Sequence, residues 1–296
     1  HAAPLAAQIV RRTLTIFLRA DEIVMDGLDN IDMSQLPLEL RNLVRTRSAQ
    51  EVGHSKVYSQ VAIFTLPPGE FDAAVRLASD HPALARMREW AMKFMQPGTP
   101  VFVHLAVCAI FEVVAFSAPF AVPHTLKRLG GVCPALTNAN ETISRDETLH
   151  MDSGATSLNE AFAGASAHVR AAAHRVIRAA LLEGYRTMAP VLEWIFEGGA
   201  ALLDVSLEPC LQWTRHVCNR FAEQLNAHGR FADVGGGAPP FPDAVAPALK
   251  WMETMAVDAN NQRPLFFEVT SQQYDLKFPD GAFATDGADA IAAAHA

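Results

Sequence analysis

The sequence predicts an all-α helical bundle followed by a flexible C-terminal tail, and three observations carry that expectation. Apolar residues recur at i, i+3, i+4 and i+7 over seven long stretches. Gly and Pro pairs punctuate the boundaries between them. No run alternates polar and apolar residues for long enough to make a strand, and no repeat at a fixed period is present. Of the 296 residues 50% are hydrophobic, enough for one large packed core or two small ones.

The first helix is expected over residues 5–28, the second over 36–66 and the third over 71–95, with Pro67-Pro68-Gly69 and Pro97-Gly98 as the turns between. A fourth covers 101–116, or runs on to 129, where Gly130-Gly131 stops it. Then come 134–162, 167–196 with Ser166 as its N-cap, and 201–227 with Asp204 as its N-cap after Gly198-Gly199. From residue 229 to 247 composition shifts to Gly and Pro, which reads as a loop before a last short helix around 248–256. Residues 1–263 are thus expected to form one bundle domain and residues 264–296 a flexible tail. The tail's end, PDGAFATDGADAIAAAHA, has few large apolar residues and several acids. At the other end His1-Ala2-Ala3-Pro4 leads at once into a helix, which reads as a cut made upstream.

A net charge of −8, with Lys and Arg scattered rather than clustered, excludes a nucleic-acid surface and points to protein or small-molecule partners. Cys108, Cys133, Cys210 and Cys218 form no Cys-x-x-Cys, and three of them sit in apolar helical patterns where a reduced thiol packs as a small hydrophobe. Such thiols suit a reducing, cytoplasmic setting. The stretch VFVHLAVCAIFEVVAFSAPFAV, residues 101–122, is long enough to cross a bilayer, but Glu112 stands at its centre. A carboxylate is costly there unless it is paired or bound to metal, so a helix buried on nearly all faces of a water-soluble bundle is expected and no membrane contact.

Glu-x-x-His occurs twice, at Glu51-Val-Gly-His54 and Glu147-Thr-Leu-His150. One match in a chain of this length means little; two on interior helices mean more, because i and i+3 share a helix face and aim carboxylate and imidazole at one point. Two further carboxylates would complete a site for two metal ions. Glu112, among Ile110, Phe111, Val113 and Val114, is one candidate, and Asp21 on the first helix is the other, with Glu22 and Asp26 as its rivals. One carboxylate from each of two helices and Glu-x-x-His from each of two others is the ligand pattern of ferritin-like di-iron carboxylate proteins. Oxygen-rich ligation with two imidazoles suits Fe or Mn better than Zn. His104, alone on its helix, reads as a satisfied core residue.

Those residues resemble the radical-bearing small subunit of class I ribonucleotide reductase, above all its eukaryotic and large DNA-virus forms. SRDE with His150 after two intervening residues is the most specific part of the likeness; FLRADEIVMDGL, AQEVGHSKVY and NQRPLFFEVTSQQY extend it over nearly the whole chain. The resemblance implies Asp21, Glu51, His54, Glu112, Glu147 and His150 as ligands of two Fe ions, with Mn as the alternative metal, and so prefers Asp21 to Asp26. It implies Tyr58 as the radical site, Phe116, Phe120 and Ile143 as its apolar pocket, Asp146 as the acid that accepts a hydrogen bond from His54, and Tyr274 as the tyrosine that relays the radical between subunits. Tyr58 follows His54 by one helical turn, which keeps the phenol on the metal-facing side.

The resemblance further implies a homodimer, cytoplasmic in a cell or in the host if viral, that docks its tail onto a separate large subunit. There ribonucleotides become 2'-deoxyribonucleotides; this chain itself has no Gly-rich phosphate loop. Two features depart from the family pattern. Residues AIAAAHA extend past the usual tail ending, which bears on Phe283 as the docking anchor, and none of Trp90, Trp194, Trp213 or Trp251 stands upstream of Asp21, where the family has an electron-path tryptophan. The rival expectations are another di-iron oxidase on the same scaffold, of desaturase or ligand-binding type, and a bundle kept for interaction without chemistry.

Overall fold

The computed structural model describes residues 2–130, 133–226, 229, 231–235, 238–244 and 248–252. Among them stand nine α-helices and no strand: α1 (Ala2–Asp29), α2 (Leu38–Thr65), α3 (Glu70–Asp80), α4 (Pro82–Phe94), α5 (Val101–Phe116), α6 (Ala121–Arg128), α7 (Pro134–Ala161), α8 (Ala167–Ile195) and α9 (Leu207–Leu225). The fold is ferritin-like. Helices α1 and α2 pack along each other, as do α5 and α7, and contacts of α1 with α5 and of α2 with α7 close the four into a ring. Helix α8 covers α4 and α5, and α9 lies against α8, α5 and α7.

Two boundaries differ from the sequence expectation and a third falls at the first of its two expected ends, each for a local reason. The helix expected over residues 71–95 is broken at His81, whose extended backbone (φ −68°, ψ 125°) is what a residue before proline favours. Pro82 then opens α4 at the position where a missing N–H does no harm, and the His81 ring accepts from the Ala83 N–H. Helix α5 does not run on to residue 129. It stops at Phe116, and α6 restarts at Ala121 at a 44° bend across Pro119, which has no N–H to continue the ladder. The helix expected from 201 begins only at Leu207, because Leu202 and Val205 bond each other in a tight turn with Leu203 at positive φ. Asp204 is therefore no N-cap; it accepts from Arg128 and Trp251. Ser166 does cap α8, accepting from the Val169 N–H. Of the short helix expected over 248–256, only its start lies among the described residues, and the tail lies outside them.

Helix α5 is buried from Phe102 to Phe116 on every face, as its composition requires. No single helix among the described residues is long and apolar enough to cross a membrane; α5 and α6 reach that length only together. The close approach of α7 to α5 depends on Gly154: a Cβ there would stand 2.7 Å from the Ala109 Cβ and 3.3 Å from the Leu105 carbonyl oxygen. That contact, one turn beyond His150, holds the helix bearing Glu112 against the helix bearing Glu147.

His104 is the core residue its setting suggested. Its Nε2–H donates to the Gly27 carbonyl at 2.7 Å, and burial pushes its pKa down from 6.5 to about 4. The folded pKa lies below the unfolded one, so the neutral ring's contribution to stability is complete above pH 6.5 and is lost as pH falls toward 4. Replacing His104 with Gln should flatten that acid limb by on the order of 2–3 kcal/mol in chemical unfolding measured against pH. An unchanged acid limb would show that His104 is not the group responsible.

Candidate metal centre

The four helices of the ring each bring part of one buried cluster. Helix α1 supplies Asp21, α2 supplies Glu51 and His54, α5 supplies Glu112, and α7 supplies Glu147 and His150; all six are between 0% and 6% exposed. Their ligand atoms fall into two overlapping sets, each with all members within 4.8 Å of one another: Asp21, Glu51, His54 and Glu147, and Glu51, Glu112, Glu147 and His150. Glu51 and Glu147 belong to both. The rival acids point elsewhere, Glu22 to Arg19 and Asp26 to Arg88 at the surface.

Both imidazoles present Nδ1 to the carboxylates. His54 Nδ1 is 3.1 Å from Glu147 Oε1 and 3.6 Å from Glu51 Oε2. His150 Nδ1 is 3.1 Å from Glu51 Oε1, 3.2 Å from Glu147 Oε2 and 3.5 Å from Glu112 Oε1. The outer nitrogens are held from behind: His54 Nε2 donates to Asp146 Oδ2 at 3.0 Å and His150 Nε2 to Gln50 Oε1 at 3.1 Å. Such partners fix ring orientation and tautomer in metal-binding histidines.

Crowded carboxylates make this a strained arrangement of charge. Burial, then Glu51 and Glu147, push Asp21 well above the usual carboxylate range. Burial likewise raises Glu112 to about 7 against the opposing pull of Arg47. Burial would raise Glu51 too, but the two imidazoles facing it, His150 and His54, outweigh that and bring it down to about 2. Burial opposes protonation of both rings, but Asp146, Glu147 and Glu51 around His54, and Glu112, Glu147 and Glu51 around His150, raise them above their ordinary range. Yet both oxygens of Asp21 and of Glu51, Glu112 Oε2, Glu147 Oε1 and His54 Nδ1 carry no well-formed hydrogen bond. Buried polar atoms left this way are expensive, and divalent cations seated among them would satisfy all at once. Four carboxylates and two imidazoles fit a pair of iron or manganese ions by charge and by donor type.

Tyr58, one turn beyond His54 on α2, is completely buried. Burial, then the charges of Asp21, Glu147 and Glu51, raise its pKa well above 10, so the phenol is protonated. Phe17 stacks on its ring at 4.5 Å between centroids, Phe116 stacks on Phe17 in turn at 6.1 Å, and Phe120 lies tilted against Phe17 at 5.6 Å. Ile143 is buried on α7. The hydroxyl, however, meets a polar group: it donates to Asn140 Oδ1 at 3.2 Å, and Asn140 Nδ2 lies 3.4 Å from Nε2 of His124, a ring that burial pushes down to about 4.

Sequence reasoning missed four of these neighbours: Arg47, Gln50, Asn140 and His124. Arg47 stands one turn before Glu51, and Asn140 two turns before Glu147, so helical spacing alone put both on ligand-bearing faces. Gln50 likewise stands one turn before His54, whereas His124 carries no such signal. Tyr274 and Phe283 lie outside the described residues.

The family model described as ribonucleotide reductase, small chain, matches residues 5–234. A ribonucleoside-diphosphate reductase small chain of Arabidopsis thaliana is 32% identical over 145 residues, 48% of this chain and 43% of that protein, so the match spans less than half of its length. One from African swine fever virus is 25% identical over 283 residues, 94% of this chain and 80% of that one. The crystal structure of a putative class I ribonucleotide reductase from Bacillus halodurans superimposes with a TM-score of 0.66 at 17% identity, covering 85% of this chain and 87% of its own, and supports the fold. With its family model matched over more than three quarters of its length, the chain belongs to the ribonucleotide reductase small chain family.

Proposed function

We propose that this chain is the radical-generating small subunit of a ribonucleoside-diphosphate reductase. One observation carries the proposal: six buried ligand-type residues from four helices converge with unpartnered oxygens, with a buried tyrosine one helical turn from a member of the cluster. Held by Asp21, Glu51, His54, Glu112, Glu147 and His150, two iron ions would supply, with O2, the power to oxidise Tyr58 to a neutral radical; a manganese pair would use the same ligands.

The chain's own residues set the conditions for that chemistry. Phe17, Phe116, Phe120 and Ile143 keep water and reductants from the Tyr58 ring, and Asn140 orients its hydroxyl. Asp146 holds the Nε2 proton of His54 and leaves Nδ1 for the metal. His54, Asp146 and Tyr274 form the route by which the oxidising equivalent leaves toward a thiol of a separate large subunit, where ribonucleoside diphosphates are reduced. Residues 264–296 dock that subunit, Phe283 being the anchor, and the small subunit works in the cytoplasm as a homodimer. The names of its relatives support the substrate class.

Cutting the chain after residue 263 tests the division of labour. Nucleotide reduction with the large subunit should fall to background while iron stoichiometry stays unchanged. Reduction that survives the cut would remove the docking role. Oxidase activity without any large subunit would favour a di-iron oxidase of desaturase or ligand-binding type.

A further inference from the structure

Among the groups that the function above leaves unused, a buried arginine on the cluster stands out. Arg47 of α2 is 2% exposed and donates to Glu112 Oε1 through Nη2 at 2.5 Å and Nε at 3.1 Å. Guanidinium is charged at every accessible pH and has no acceptor, so this cation is a permanent part of the site. Glu112 keeps only Oε2 unpartnered. Asp21, its counterpart in the other half of the cluster, keeps both oxygens.

Because Glu51 and Glu147 are common to both sets, the two metal positions differ in their private ligands, Asp21 with His54 against Glu112 with His150. The groups behind the two rings and the cation beside Glu112 bias them in the same direction. Behind His54 stands a carboxylate, Asp146, which raises the basicity of the ring; behind His150 stands a neutral amide, Gln50. Beside Glu112 stands a cation that already uses one of its oxygens and repels an incoming divalent ion, in an interior closed to solvent where screening is weak.

We propose that Arg47 makes the two metal positions unequal, so that the Asp21–His54 position fills first and tightly and the Glu112–His150 position fills second and weakly. This rests on the metal-binding role proposed above and adds to it an order of loading and the residue that sets it. Arg47 is a positioning residue: it acts through Glu112, whose Oε1 it engages while Oε2 stays unpartnered.

Equilibrium titration of the chelator-stripped full chain with Mn2+, following free Mn2+, tests the inference without any need for turnover. Wild type should bind in two steps whose dissociation constants differ by roughly tenfold or more, the scale of one charged hydrogen bond. Arg47→Gln, which removes the charge, should tighten the second step about tenfold and leave the first within about twofold. Asp21→Asn should abolish the tight step and Glu112→Gln the weak one; this pair decides alone if Arg47→Gln does not fold. Equal steps in wild type, an unchanged gap in Arg47→Gln, or loss of the tight step in Glu112→Gln would overturn the order of loading while leaving the metal centre standing. No binding of Mn2+ or Fe2+ to wild type would overturn the metal centre itself.

Discussion

Replacing Glu147 with Ala abolishes iron binding at both positions, not at one. Glu147 is shared by the two ligand sets, and its oxygens stand 3.1 Å from His54 Nδ1 and 3.2 Å from His150 Nδ1. Without it each position loses an anionic ligand, and the carboxylate charge that offsets two divalent cations drops by a quarter in a site closed to solvent. Iron per chain, measured after anaerobic loading and desalting, should fall from two to near zero. Asp26→Ala serves as the control: that carboxylate is half-exposed and paired with Arg88, so its removal should leave the iron content unchanged. Retention of one tightly held ion in Glu147→Ala would refute the sharing of this ligand.

The second large effect is that of Tyr58→Phe on catalysis. Phenylalanine keeps the ring that stacks on Phe17 at 4.5 Å and removes only the hydroxyl that donates to Asn140. The expected loss of stability is about 1 kcal/mol, that of one hydrogen bond, so the variant should fold and load iron as wild type does. Nucleotide reduction in the reconstituted complex should nevertheless drop to background, since a benzene ring has no O–H to surrender. The split between intact loading and lost activity distinguishes a radical site from an ordinary buried tyrosine. Substantial activity in Tyr58→Phe would move the radical elsewhere.

How much of this was legible beforehand follows from the range of the interactions involved. The paired Glu-x-x-His motifs and the buried position of Glu112 are local, written in helical spacing and in the conflict between a carboxylate and its apolar neighbours; all three sit where that pattern placed them. Asp21 needed more than pattern, because Glu22 and Asp26 are equally acidic. Family resemblance selected it, and the fold agrees by turning the other two toward arginines. The break at His81-Pro82 carried a local signal that the apolar periodicity on either side masked. Arg47 and Asn140 share ligand-bearing faces by spacing, but they stand in the polar runs RTRSAQE and TNANET, where a side chain reads as solvent-facing until the helix that covers it is known. Their partners, Glu112 and His124, come from α5 and α6, far along the chain. The result revises the expected pocket of Tyr58, which is apolar around the ring and polar at the hydroxyl.

The most direct test of the central claim is an electron paramagnetic resonance spectrum recorded after ferrous iron and then O2 are added to the metal-free full chain, beside Tyr58→Phe treated identically. A signal near the free-electron value with tyrosyl hyperfine structure, present in the wild type and absent from Tyr58→Phe, is the predicted result. Iron that binds and turns ferric with no radical in either protein would contradict it.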